Sequence, residues 1–172
     1  MLKIVLVGYM GSGKSTIGAF LSEKLQLPFI DLDSHIEELE ELTINSIFET
    51  KGEIYFRKIE HQVVARLTSS SDAFVLSLGG GTPCYANNHL LLRGQGVISI
   101  YLKTSKEELT RRLEKETLSR PILADKEPAE LQEFIAQHLF ERSYYYQHSM
   151  YTVVTDGKTP AELVTEIESL LT

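Results

Sequence analysis

Short apolar runs that stop at glycine or acid alternate along this chain with stretches whose apolar residues recur every three or four positions. Leu2 to Val7, with Ile4, Val5 and Val7, reads as a buried strand halted by Gly8. Residues 14–26 place Ile17, Leu21 and Leu25 on one helical face. Pro28-Phe29-Ile30 is a second short strand that closes at the acidic turn Asp31-Leu32-Asp33. Ser34, three residues before Glu37, predicts a capping box for a helix with Ile36, Leu39 and Leu42 on one side. Phe56, Ile59, Val63 and Leu67 mark another amphipathic helix, which Ser69-Ser70-Ser71 breaks. A third strand, 73–78, stops at Gly79-Gly80-Gly81, and a fourth, 97–102, leads to a helix capped by Thr104 and Glu107. Polar residues 116–127, with Pro121 inside and Pro128 just beyond, read as a mobile loop. Residues 129–147 are helical and 150–154 form the last strand. Thr159-Pro160-x-Glu162 opens the final helix. Strands and helices alternating over the whole length predict one α/β domain over residues 1–172, its parallel sheet covered on both faces.

Composition narrows the partners. With 172 residues, 42% of them hydrophobic and 24% charged, the chain is globular in character. Seventeen Lys and Arg against 24 Asp and Glu leave a net charge of −7, so nucleic acid is not an expected partner. No apolar run approaches the roughly 18 residues of a membrane span, and the opening residues do not read as a signal peptide. Cys84 is the single cysteine, which excludes an internal disulfide and fits a reducing cytoplasmic setting.

The chemistry begins at Gly8-Tyr9-Met10-Gly11-Ser12-Gly13-Lys14-Ser15, which satisfies G-x-x-x-x-G-K-[ST] between a strand and a helix. Glycines let successive N–H groups converge on an anion, and the helix adds its positive N-terminus. Lys14 can reach the β- and γ-phosphates and the Ser15 hydroxyl can ligate Mg²⁺. The third strand ends in glycine and not in an acid, so Asp31 is the candidate second contact to the metal. Asp31 and Asp33 can equally do no more than prepare a helix start.

Arginines stand out in an acidic chain. Arg57 has Glu53 four residues before it and Glu60 three after, so a helical surface ion pair accounts for it cheaply. Arg142 falls inside the stripe of Leu131, Ile135 and Leu139, where a guanidinium demands a carboxylate, a phosphate or a ligand anion. His138 on the same face reads as a satisfied core histidine, Tyr144, Tyr145 and Tyr146 as packing or a pocket wall, and Cys84 as incidental. Arg120, in the polar loop, fits a lid that neutralises charge on a transferred phosphoryl group. Three glycines at a strand's carboxyl end let a ligand approach the backbone.

Taken together, Gly8 to Thr16, Asp31-Leu32-Asp33, Gly52-Glu53-x-x-Phe56-Arg57-x-x-Glu60, Gly79-Gly80-Gly81, Arg120-Pro121-x-Leu123 and Glu141-Arg142-x-x-Tyr145 resemble the shikimate kinase family, in its order, from residue 4 to about residue 160. The resemblance implies a three-layer α/β/α P-loop kinase fold like that of the nucleoside monophosphate kinases. Its five-stranded parallel sheet would run in the order 2-3-1-4-5, with a mobile lid at about 116–127 and a substrate-binding helical region at about 33–61. It implies transfer of the ATP γ-phosphoryl group to the 3-hydroxyl of shikimate by a cytoplasmic monomer, with Mg²⁺, on the route to chorismate and the aromatic amino acids. Lys14, Asp33 and Arg120 would be catalytic. Gly11, Ser12, Gly13, Lys14, Ser15, Thr16, Arg112, Arg120 and Lys158 would bind ATP. Asp33, Arg57, Gly79, Gly80, Gly81 and Arg142 would bind shikimate, and Ser15 and Asp31 the metal. Thr82-Pro83-Cys84 departs from the small or aliphatic residues common after the triple glycine. Another small-molecule P-loop kinase, acting on gluconate or a nucleoside monophosphate, is the alternative, since Arg57 and Arg142 could grip a phosphate. A GTPase would carry an N-K-x-D motif, which the chain lacks.

Overall fold

A computed structural model describes residues 1–116, 123 and 125–172. Five parallel strands lie in the order β2-β3-β1-β4-β5: β1 Lys3–Val7, β2 Phe29–Asp31, β3 Phe74–Ser77, β4 Val97–Lys103 and β5 Tyr151–Val154. The expected order is therefore the observed one. Every residue of β1 is buried, as a central parallel strand covered on both faces requires, and the short β2 and β5 form the edges.

Side-chain alternation along β1 divides the core. Ile4 and Leu6 point toward helices α1 (Lys14–Leu25) and α8 (Pro160–Leu171), packing with Ile17, Leu21, Val164 and Ile167. Val5 and Val7 face the opposite layer, with Ile36, Phe56, Val63, Leu109, Ile135 and Tyr146. That layer holds α2 (Leu32–Glu40), α3 (Ile44–Lys51), α4 (Glu53–Ser69), the short α5 (Asn88–Leu91), α6 (Lys106–Glu114) and α7 (Pro128–Tyr146). The three layers match the expected architecture, and the carboxyl ends of β1, β2 and β3 open on one side, where ligands bind in such sheets.

Four local expectations are corrected. Helix α2 begins at Leu32, not after Ser34, because the Asp31 carboxylate caps it by accepting the Ser34 N–H at 3.1 Å. Glu37 closes no capping box there; it accepts the N–H of Ile44 at 3.1 Å and so ties α2 to α3, a helix the pattern did not announce. Leu39 is half exposed, while Ile36 alone of the expected trio is fully buried. The cap of α6 is Ser105, which accepts from Glu108 N–H at 3.2 Å, because Thr104 is taken by Thr155 across the sheet end at 2.6 Å. The cap at Thr159, with Pro160 at the first position and Glu162 reaching back, stands as expected. Most of the expected lid, including Arg120, lies outside the described residues. No helix among the described residues is long and apolar enough to cross a membrane.

Candidate active site

The loop from Gly8 to Gly13 joins β1 to α1, and its glycines do what the motif requires. Gly11 and Gly13 take φ of +81° and +95°, left-handed values that a side chain would strain, and Gly13 caps α1. Lys14 is buried and folds back on the loop, donating to the carbonyls of Gly8 at 2.7 Å and Tyr9 at 3.0 Å. Arg112 of α6 braces the same loop, donating to the Gly11 carbonyl at 3.1 Å while its Nε–H meets Glu108 at 2.8 Å. Glu108 also binds Arg111, and the two guanidinium groups hold its carboxyl down at about 2.

Ser15 and Asp31 meet: the hydroxyl donates to Asp31 Oδ2 at 3.2 Å, while Oδ1 serves as the cap of α2. One carboxylate thus caps the helix and at the same time stands beside the Ser15 hydroxyl, the other candidate metal contact. Two hard oxygen donors at the mouth of a phosphate loop fit Mg²⁺, which takes one or two side chains and completes its shell from phosphates and water.

Two residues on, in the first turn of α2, stands Asp33. Burial first, then the nearby carboxylates of Asp31 and Glu60, push its carboxyl up to about 6, against the opposing pull of Lys14. A carboxyl so tuned suits proton acceptance near neutral pH.

The triple glycine runs beneath three charged groups in turn. A methyl group on Gly79 would come within 3.3 Å of Asp33 Oδ1, one on Gly80 within 3.3 Å of Arg142 Nη1, and one on Gly81 within 3.1 Å of Arg57 Nη2. Bare backbone is what lets these groups converge. Arg142 also lies over the Tyr9 ring, 5.5 Å from its centroid. Burial works against its charge, and contact with the Tyr146 hydroxyl more than offsets that and holds the proton on. Arg57 is no simple surface pair: its partner Glu60, at 2.9 Å, is 1% exposed.

One cleft of about 880 Å³ is lined by residues 10–17, Asp31, Asp33, Gly79 to Gly81, Arg112, Arg142 and Lys158. It gathers every expected site residue among the described ones except Arg57, which reaches its edge at Gly81. Lys158 is held by Glu166 at 2.6 Å. Burial pushes the Cys84 thiol up to about 11, in keeping with an incidental role. His138 is satisfied through a 2.7 Å hydrogen bond with the Tyr9 hydroxyl. Glu60 and Tyr146 complete the site without having been singled out. The F-R-x-x-E spacing contained the first, and the helical step of four from Arg142 points to Tyr146 and not to Tyr145. Tyr146 is fully buried and donates to the Gly80 carbonyl at 2.6 Å.

Known proteins resemble this chain over nearly its whole length. The family model described as shikimate kinase matches residues 10–172. A shikimate kinase of Flavobacterium psychrophilum is 53% identical, covering 99% of each chain. The crystal structure of shikimate kinase from Bacteroides thetaiotaomicron superposes with a TM-score of 0.87 at 33% identity, over 99% of this chain and 98% of that one. Shikimate kinase from Acinetobacter baumannii in complex with shikimate gives 0.85 at 35% identity, over 99% and 93%.

Proposed function

The chain belongs to the shikimate kinase family, and from that premise we propose how its residues divide the transfer of the ATP γ-phosphoryl group to the 3-hydroxyl of shikimate. The loop N–H groups of Gly11, Ser12 and Gly13, with Ser15 and Thr16 at the start of α1, cradle the phosphates of ATP. Lys14 leaves the loop carbonyls for the β- and γ-phosphates, and Arg112 and Lys158 border the nucleotide. Ser15 and Asp31 would hold Mg²⁺, which would offset the phosphate charge when bound. Arg120, outside the described residues, is assigned to the same phosphates as the arginine of a lid at about 116–127.

On the acceptor side, Arg57 and Arg142 grip the carboxylate of shikimate, and Gly79 to Gly81 let its ring approach the backbone. Asp33 takes the proton of the 3-hydroxyl as that oxygen bonds to the γ-phosphorus and the bond to the ADP oxygen breaks. Little covalent work falls to the protein; positioning and charge neutralisation carry the reaction. Both halves come from this one chain, which we take to act as a single-domain cytoplasmic monomer.

The observation that carries the reading is the meeting of Asp33, Arg142 and the phosphate loop in one cleft, with the Asp33 carboxyl raised to about 6. The test is ADP release from purified protein with Mg·ATP and shikimate, gluconate or AMP in turn. Release should rise with shikimate alone. A rise with gluconate or AMP instead would keep the phosphate loop and overturn the acceptor assignments.

A further inference from the structure

The transfer chemistry leaves unused the segment Thr82-Pro83-Cys84-Tyr85, which follows the triple glycine. It forms a tight 3₁₀ turn, Thr82–Cys84, closed by Thr82 N–H to Gly79 at 3.1 Å and Cys84 N–H to Gly81 at 2.9 Å. The turn is therefore hydrogen-bonded directly to the glycine backbone, and it engages Arg57 by two routes.

The direct route is Tyr85. Its ring centroid lies 3.8 Å from the Arg57 guanidinium carbon, with Phe56 more distant at 5.2 Å. A planar guanidinium stacked on a ring keeps its in-plane N–H groups available to an anion. The indirect route is Thr82. Its hydroxyl, fully buried, donates to Glu60 Oε2 at 2.7 Å, and Glu60 Oε1 accepts from Arg57 Nη1 at 2.9 Å. Asn88 secures the threonine in turn, donating from Nδ2 to its carbonyl at 2.9 Å. With Nη1 committed to Glu60, Arg57 Nε is buried without a hydrogen-bond acceptor, its ion pair to Glu53 stretched to 3.9 Å.

We infer that the Thr82–Tyr85 turn is the positioning device for Arg57: Tyr85 is its stacking platform, and Thr82 orients it through Glu60, so that an in-plane edge of the guanidinium stands ready beside Gly81 for a carboxylate. A long arginine side chain would otherwise sample many rotamers, and ordering it before the substrate arrives lowers the cost of binding. The inference rests on the reading that Arg57 grips the substrate carboxylate, and the test separates the two.

The experiment is steady-state kinetics of Arg57→Ala, Tyr85→Leu, Tyr85→Phe, Thr82→Val and Thr82→Ser, with shikimate and with its neutral carboxamide, alongside melting temperature. Tyr85→Leu and Thr82→Val should each raise KM for shikimate about fivefold to tenfold, with kcat and KM for ATP within about twofold. Tyr85→Phe and Thr82→Ser should restore the parental KM, and the penalty should vanish with the carboxamide. If Arg57→Ala leaves KM for shikimate unchanged, the carboxylate reading falls and the inference with it. If Arg57→Ala raises KM but Tyr85→Leu and Thr82→Val do not, or if they lower only the melting temperature, the inference alone is overturned. Should Thr82→Val fail to fold, the partly exposed Tyr85 decides the matter by itself.

Discussion

The two halves of the cleft are built by different means. The nucleotide half is local: eight consecutive residues, Gly8 to Ser15, supply the loop, the lysine and the hydroxyl, in a motif whose backbone N–H groups suit an anion. The acceptor half is assembled from four separate elements: Asp33 on α2, Arg57 and Glu60 on α4, Gly79 to Gly81 after β3, and Arg142 and Tyr146 on α7. A backbone cradle depends less on distant side chains, although Arg112 of α6 braces this one at the Gly11 carbonyl. A site made of distant side chains depends on each being held, and this one shows the holding: Glu60 on Arg57, Tyr146 on Gly80 and in contact with Arg142, Tyr9 under Arg142. The halves should therefore fail separately, and substitutions can show whether they do.

The largest effect is expected on the nucleotide side. Lys14→Met should lower kcat by about 10³-fold or more while the fold persists. Single-turnover transfer checks this, and a near-parental rate would remove the lysine from the chemistry.

Asp33→Asn, at the junction of the halves, should cost about 10²- to 10⁴-fold in kcat. The parental enzyme should gain kcat/KM as pH rises through about 6, the value at which Asp33 gives up its proton. In the asparagine variant that limb should disappear. Stability follows with the opposite sign. The folded state holds this proton more tightly than the unfolded chain does, so it loses stability as pH climbs from 3.8 to about 6. Asp33→Asn should consequently be more stable than the parent at pH 8, by up to roughly 3 kcal/mol and so with a higher Tm, but not at pH 4. Thermal melts at the two pH values decide.

Arg142→Ala should raise KM for shikimate about 10²-fold with KM for ATP nearly unchanged, if the half-buried charge it removes serves the acceptor carboxylate as proposed. An equal rise in both constants would break the division between halves. Smaller again, Gly81→Ala presses a methyl against the Arg57 guanidinium and should raise KM for shikimate about threefold to tenfold. The smallest effect lies outside both halves. Thr159→Ala removes the capping box of α8 and should cost about 1 kcal/mol in denaturant titration, leaving both KM values as they were.

The same contrast explains what could be read from the sequence. The phosphate loop, the strand order through family resemblance, and the Thr159 cap were legible because each is a local pattern or a motif in fixed order. Helix α3 was missed because its start depends on Thr43 as cap and on a reach from Glu37, neither visible as apolar periodicity. The cap of α2 was misplaced because Asp31 divides its two oxygens between Ser34 and Ser15, and only the fold brings Ser15 within reach. Arg57 looked like a surface pair because nothing in the spacing of residues 53–60 reveals that Thr82 and the glycine turn bury Glu60. Tyr146 was hidden among three consecutive tyrosines until the helix showed which of them points inward.

The account stands on the independence of the two halves, and calorimetric titration of shikimate into the Lys14→Met protein measures it directly. The predicted result is an affinity within about threefold of the parent in a protein that no longer turns over. Loss of shikimate binding together with turnover would mean that the phosphate loop and the acceptor pocket are one site, and would contradict the division argued from their construction.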